Sequence, residues 1–169
     1  MAIIETDRLI LRRLSTDDAE FILDLLNQPS FIHFIGDRGV RTLEDASRYI
    51  LQGAVASYES FGFGLYLTLL KENKTPIGIC GLVKRDSLKD ADVGFAFLPQ
   101  YWSKGYAFES ASAVLAYARN TLGLKRILGI TSADNQGSIH VLEKIGLKFE
   151  QMVKLSEDDV ELKLFASEF

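Results

Sequence analysis

The residues from Phe95 to Ala111, FAFLPQYWSKGYAFESA, hold the pattern with the plainest chemistry. An apolar stretch passes through Pro99 and a short loop containing Gly105 into an amphipathic helix. The first N–H groups of a helix lack intrahelical acceptors and carry a partial positive charge. With Lys104 and Gly105 beside them, they suit a phosphate-bearing ligand. The same residues also suit a helix start that needs a glycine for its turn.

Other reactive side chains are sparse. His33 lies in PSFIHFIGDRGV, which reads as an irregular segment whose aromatics, Asp37 and Arg38 fit a specificity loop. Imidazole titrates near neutrality, but His140 falls two residues after Ser138 on the last helix and reads as a surface residue. The sole cysteine, Cys80, sits in IGICGLV as a small core residue and has no partner for an intrachain disulfide. Two distant histidines and one buried cysteine make no ligand set, so no metal is expected.

These residues need a frame. At 169 residues the chain reads as a single domain, 1–169, large enough to bury roughly 70% of its unfolded surface. A composition of 47% hydrophobic and 25% charged residues is that of an ordinary soluble protein. The net charge of -4 argues against gripping nucleic acid. No run reaches the roughly 20 apolar residues of a membrane helix, and MAIIETDRLI lacks a signal-peptide layout. The expectation is a cytoplasmic chain with no membrane or direct nucleic-acid partner.

The periodicities alternate between helix and strand. LILRRL, Leu9 to Leu14, reads as a half-buried strand. Ser15-Thr16-Asp17-Asp18 signals a helix whose apolar face is Phe21, Ile22, Leu25 and Leu26, stopped by Pro29. Thr42-Leu43-Glu44-Asp45 opens a second helix ending near Tyr58. Strands Phe63–Leu70, Ile77–Val83 and Val93–Phe97 follow, joined by the polar turns KENKTP and KRDSLKDA into an antiparallel meander. After the Gly105 loop the helix repeats Phe108, Ala111, Leu115, Ala118 and Leu122 and stops at Gly123. A strand Arg126–Thr131, a helix from about Gln136 to Ile145, and strands Leu147–Leu155 and Val160–Phe165 complete the chain. The acidic turn at Glu157-Asp158-Asp159 reads as a solvated hairpin, or as an attractor for a basic peptide. The expected fold class is α/β, of the α+β type, with a mostly antiparallel sheet flanked by helices.

Three blocks carry a family resemblance: ETDRLILRRL, DVGFAFLPQYWSKGYAFESA and NQGSIHVLEKIGLKFE. In order and spacing they resemble the GNAT acyltransferases, and among them the RimJ/RimL branch of ribosomal-protein N-terminal acetyltransferases. The family's acetyl-CoA signature is matched by Trp102, Ser103, Lys104, Gly105, Tyr106 and Ala107, with Trp102 where Gln or Arg is usual. The resemblance implies a mixed sheet whose strands Val93–Phe97 and Arg126–Thr131 splay to admit the pantetheine arm. It puts the pyrophosphate on the N–H groups of Trp102 to Ala107. The arm then pairs with the backbone of Phe97 and Leu98, and an N–H near Phe95 to Phe97 polarises the thioester carbonyl. Trp102 either shields the arm or anchors its loop. Asn135 bonds the cofactor or caps the last helix, or does both.

The implied chemistry is direct attack of an amine on the acetyl thioester, which needs a proton acceptor and a donor near sulfur. Leu142 stands where many family members carry a donor tyrosine, and Ser138 matches the serine of RimJ/RimL-like sequences. Its hydroxyl alternatively caps helix backbone. Asp92 is the first candidate base and Glu109 the second, although a helix dipole makes Glu109 a poorer base. Glu143 reads as a surface charge, and a water relay is the remaining option. His33 and Arg38 border the expected acceptor side. The acceptor implied is a protein N-terminal α-amine. The alternatives are a small amine or a non-catalytic CoA-binding module, and a homodimer through the last strands is compatible with the sequence.

Overall fold

The computed structural model describes Met1–Phe169. Its eight strands form one sheet in the order β1-β2-β3-β4-β5-β6-β8-β7. They are β1 Ala2–Glu5, β2 Leu9–Arg13, β3 Leu65–Leu70, β4 Pro76–Val83, β5 Asp92–Phe97, β6 Arg126–Ser132, β7 Lys148–Val153 and β8 Leu162–Glu168. Strands β2 to β5 form the expected antiparallel meander. The first strand, Ala2–Glu5, goes beyond the sequence reading and pairs with β2 as an edge.

The helices are α1 Ala19–Leu26, α2 Pro29–Phe34, α3 Leu43–Ile50, α4 Ala56–Phe61, α5 Tyr106–Asn120 and α6 Gln136–Lys144. Ser15 opens the first helical stretch through a reciprocal cap: Asp18 Oδ2 accepts its N–H at 2.9 Å, and its hydroxyl accepts from Asp17 N–H at 3.3 Å. Pro29 does more than stop α1, because it occupies the first turn of α2. That position tolerates proline, whose missing N–H has no intrahelical acceptor to reach. The supposedly irregular PSFIHFIGDRGV therefore begins as a helix. The next helix, expected to end near Tyr58, runs as α3 through a π-helical turn, Leu51–Val55, into α4 and ends at Phe61.

Both faces of the sheet are covered. Ile22, Leu25 and Leu26 of α1, Phe31 of α2 and Ile50 of α3 pack with Leu67 and Ile79 on one face. Ala111, Val114 and Ala118 of α5, with Ile139 and Leu142 of α6, pack on Leu9, Val93, Phe97 and Ile127 on the other. Each fully buried aliphatic side chain contributes about 1.5–3 kcal/mol relative to exposure. The apolar periods read in the sequence are these two buried stripes.

One junction in the sheet is parallel. Strand β5 leaves through α5 and returns as β6, a crossover that makes the two strands parallel neighbours. Their only paired register is Asp92 with Leu128, where Leu128 N–H donates to Ala91 C=O at 2.9 Å. Beyond that pair the strands part, and the gap between them is the cleft.

Candidate active site

The cleft is a cavity of about 750 Å³ reaching both faces of the sheet through the gap between β5 and β6. Its wall on the α5–α6 side includes Phe95, Phe97, Trp102, Gly105, Asn135 and Ser138. On the α1–α3 side it includes Phe31, Phe34, Arg38, Tyr49, Arg85 and Asp92.

The loop before α5 is built to present N–H groups. Ser103 and Gly105 hold the left-handed conformation, at φ 61° and 84°. Gly105 takes it without a side-chain penalty, whereas Ser103 carries some strain. Trp102 N–H is spent on Pro99 C=O at 3.1 Å, and Glu109 N–H on Gly105 C=O at 3.0 Å. The N–H groups between them, from Ser103 to Phe108, donate to no acceptor in the chain. A row of unpaired donors at the positive end of a helix of 15 residues fits a pyrophosphate.

Edge geometry continues the site along β5. Leu98 N–H donates to Ile77 C=O at 3.0 Å, and Leu98 C=O accepts from Tyr101 N–H at 2.9 Å. Both backbone groups of Leu98 are therefore engaged within the fold, and its side chain is buried. By strand alternation, the residues whose N–H and C=O groups face the gap are Phe95 and Phe97. Trp102 Nε1 donates to the Phe97 carbonyl at 2.9 Å. The open edge thus consists of Phe95 N–H and C=O and Phe97 N–H, which suits an amide-bearing arm lying as an extra strand.

Asp92 sits where the strands part. Its carboxylate is buried, and Arg85 Nε donates to its Oδ2 at 3.0 Å. Burial pushes the Asp92 carboxyl up to about 6 against the opposing pull of Arg85 and Lys84. Alternation along β5 turns Asp92 toward the α1–α3 face, opposite Val93, Phe95 and Phe97. Ser138 approaches from the other face. Its N–H is capped by Asn135 Oδ1 at 3.2 Å, while its hydroxyl makes no hydrogen bond within the chain. Asn135 is thus a helix cap whose amide nitrogen stays free beside the cleft. Helix α6 comes close to β6 because residue 129 is glycine: a Cβ there would lie 2.7 Å from Leu142 Cδ2.

Residues 8–148 match the family described as Acetyltransferase (GNAT) domain. The chain belongs to the GNAT acetyltransferase family. YoaA, an uncharacterized N-acetyltransferase of Bacillus subtilis (strain 168), is 31% identical over 154 residues, 90% of this chain and 86% of that protein. The acetyltransferase from Agrobacterium tumefaciens str. C58 has 25% identity and a TM-score of 0.83, covering 98% of this chain and 94% of that one. RimL, a ribosomal L7/L12 alpha-N-protein acetyltransferase in complex with coenzyme A, has 18% identity, a TM-score of 0.84 and coverage of 99% and 98%. That last likeness shows a common fold. Enzymes of this family take the acetyl group from acetyl-CoA, and the N–H row and the open β5 edge fit that donor.

In this GNAT acetyltransferase the cleft gathers Asp92, Ser138, Phe97, Trp102, Ser103, Gly105, Tyr106, Ala107, Asn135 and Arg38. Lys104, Glu109 and His33 lie outside its wall. Lys104 is exposed. Glu109 is occupied by the β1–β2 turn, with Arg8 Nε at 2.7 Å and Arg8 N–H at 3.0 Å from its oxygens and Thr6 Oγ1 donating as well. Burial pushes its carboxyl up, but the Thr6 and Arg8 bonds outweigh that and hold it below the ordinary value. It is a stabilised anion, ill suited to accept a proton. His33 Nε2 pairs with Asp134 Oδ2 at 3.0 Å, and it is Asp134 that lines the cleft. His140 reaches the rim. Cys80 is fully buried, and burial lifts its thiol to about 12 against weaker pulls from Ser110 and Gly81. Neither Arg85, in the polar turn KRDSLKDA, nor Arg8, whose partners lie about a hundred residues away, stands out in the sequence as a site residue.

Proposed function

We propose that this acetyltransferase carries the acetyl group of acetyl-CoA to the α-amine of a peptide or protein chain, by direct attack while both are bound. The observation that carries the reading is Asp92, a buried carboxyl poised near 6 at the fork of β5 and β6. A peptide α-ammonium, with a pKa of roughly 7.7–8.0, lies about two units above such a base, whereas a lysine-like amine near 10.4 lies more than four above it. The gap of roughly 2.5 units between the two amines favours an α-amine as the acceptor for any carboxylate base at this position. RimL, which shares the fold, is named as an α-N-protein acetyltransferase, and that name supports the same acceptor class.

Acetyl-CoA supplies an acyl thioester. The N–H groups from Ser103 to Ala107 hold its pyrophosphate, with Asn135 Nδ2 as a further donor. Phe97 N–H and Phe95 C=O align its arm, and the Phe95 N–H stabilises the negative charge that develops on the carbonyl oxygen. The acceptor enters from the α1–α3 face, past Arg38 and the His33–Asp134 pair. Asp92 takes the ammonium proton, and the Ser138 hydroxyl donates a hydrogen bond to the departing sulfur. No side chain is acetylated on the way.

Titration calorimetry with acetyl-CoA, CoA and ATP, followed by thiol-release assays with peptides and polyamines, tests the reading. Micromolar binding of both thioester and thiol forms but not ATP is expected, with transfer to peptide α-amines preferred over spermidine. Absence of binding overturns the cofactor site. Binding with transfer only to polyamines overturns the acceptor class. Binding without transfer to any amine makes the protein a CoA-binding module.

A further inference from the structure

Beneath the loop that opens α5, the turn between β1 and β2 contributes a brace. Glu109, in the first turn of α5, accepts from Arg8 Nε at 2.7 Å through one oxygen, and from Arg8 N–H at 3.0 Å and Thr6 Oγ1 through the other. The guanidinium continues upward from this anchor. Its Nη1 donates to Lys104 C=O at 3.0 Å, its Cζ stands 4.4 Å from the Tyr106 ring centroid, and a Cβ on Gly105 would meet Nη2 at 3.2 Å. One side chain thus touches residues 104, 105, 106 and 109.

The consequence follows from peptide geometry. A trans peptide holds its C=O and the next N–H on opposite sides of the plane. Drawing Lys104 C=O toward Arg8 therefore turns Gly105 N–H away from it, outward from the loop. Arg8 also offsets a charge. Glu109 stands in the first turn of α5, where an uncompensated carboxylate would repel a phosphate, and the guanidinium neutralises it in place. One carboxylate bond through Nε and one carbonyl bond through Nη1, held in a single planar fork, form a geometry that a lysine ammonium does not reproduce.

We propose that Arg8 is a positioning residue for the diphosphate of the acetyl donor: it aims the Gly105 N–H and screens Glu109 from the bound anion. This rests on the acetyl-CoA reading of the 102–107 loop. Arg8 touches neither the reacting atoms nor the acceptor side, so its effect is confined to the phosphate-bearing half of the donor.

The test uses Arg8→Gln and Arg8→Lys in the full chain, with titration calorimetry against CoA and against 3′-phospho-ADP, the half of CoA that carries the diphosphate. Thermal unfolding is followed alongside. Arg8→Lys, which keeps the screening and loses the Lys104 carbonyl bond, is expected to lose about tenfold in affinity for each ligand, the equilibrium equivalent of one charge-assisted hydrogen bond. Arg8→Gln, which loses both, is expected to lose more. Arg8→Lys keeps a cation beside Glu109, so its unfolding temperature stays close to that of the parent while its affinity does not recover. If Arg8→Lys restores both, Arg8 serves the fold alone and the proposal is overturned. If Arg8→Gln does not fold, Arg8→Lys decides by itself. A parent that binds neither ligand overturns the acetyl-CoA reading and this inference with it. A parent that binds, beside variants that bind equally, overturns the inference alone.

Discussion

Trp102 Nε1 donates a hydrogen bond to the Phe97 carbonyl at 2.9 Å, tying the loop before α5 to the last residue of β5. The family signature usually carries Gln or Arg at this position. Here an indole closes the strand edge and marks where an arm pairing along β5 must stop. The ring remains 47% exposed, so the bond rather than burial fixes it. Trp102→Phe keeps the ring and removes the donor. The KM for acetyl-CoA should rise about three- to tenfold with kcat within about twofold, as the net value of one hydrogen bond implies. Steady-state thiol release with varied acetyl-CoA measures it.

With Asp92 as the proposed base, activity and stability should depend on pH in opposite directions. As a base it works when ionised, so the rate with a peptide acceptor should climb through about pH 6. Asp92→Asn should lack that limb and turn over roughly 10²–10⁴-fold more slowly at neutral pH, the deficit narrowing as free amine becomes abundant at higher pH. Stability runs the other way. The folded carboxyl, raised to about 6 from 3.8, keeps a proton that the unfolded chain has already released. Its contribution is complete below the unfolded value and is lost as pH rises through the folded one. Thermal unfolding between about pH 4 and pH 7 should show the parent losing ground to Asp92→Asn across that window.

Ser138 offers a cleaner separation of roles. Asn135 caps the backbone N–H of Ser138, so Ser138→Ala keeps the helix start and loses only the free hydroxyl. Turnover should fall by about tenfold, one lost hydrogen bond to a developing charge, with CoA affinity unchanged by calorimetry. An equal rate would return Ser138 to the status of a helix residue.

Arg38 is a cation on the α1–α3 side of the cleft, where the proposed acceptor enters, and pairs with no carboxylate of the chain. Its neighbour Asp37 is already held by Arg41 Nη2 at 2.6 Å and Gly39 N–H at 2.9 Å. Arg38→Glu should raise the KM of a peptide acceptor several-fold and leave that of acetyl-CoA alone. Peptides differing only in an acidic or basic second residue should change their order of preference between parent and variant.

The fold was legible where the signals are local. The turns KENKTP and KRDSLKDA separated β3, β4 and β5, and Ile22, Leu25 and Leu26 of the α1 repeat and Ala111, Leu115 and Ala118 of the α5 repeat are buried faces, while Phe108 lines the cleft and Leu122 lies past the end of α5. Segment 29–39 was less legible because a proline can end one helix and begin another, and only packing of Phe31 against α1 and α3 decides. Site residues divided in the same way. The N–H row of the 103–107 loop follows from glycine and a helix start, both visible in sequence. The fate of Glu109 and His33 does not, because their partners Arg8 and Asp134 lie 101 positions away in each case. A carboxylate read alone looks available, and tertiary contacts determine whether it is.

The sheet between β5 and β6 is joined by a single register pair, Asp92 with Leu128. An arm that hydrogen-bonds along the open edge of β5 therefore fills the place of a missing strand in a divided sheet. Anything that binds the native chain and not the unfolded one stabilises it by mass action, by about 2.7 kcal/mol at a hundredfold excess over Kd. Acetyl-CoA bound as proposed is then a structural element as well as a reactant. The lifetime of this protein against unfolding and proteolysis will follow the supply of its own substrate.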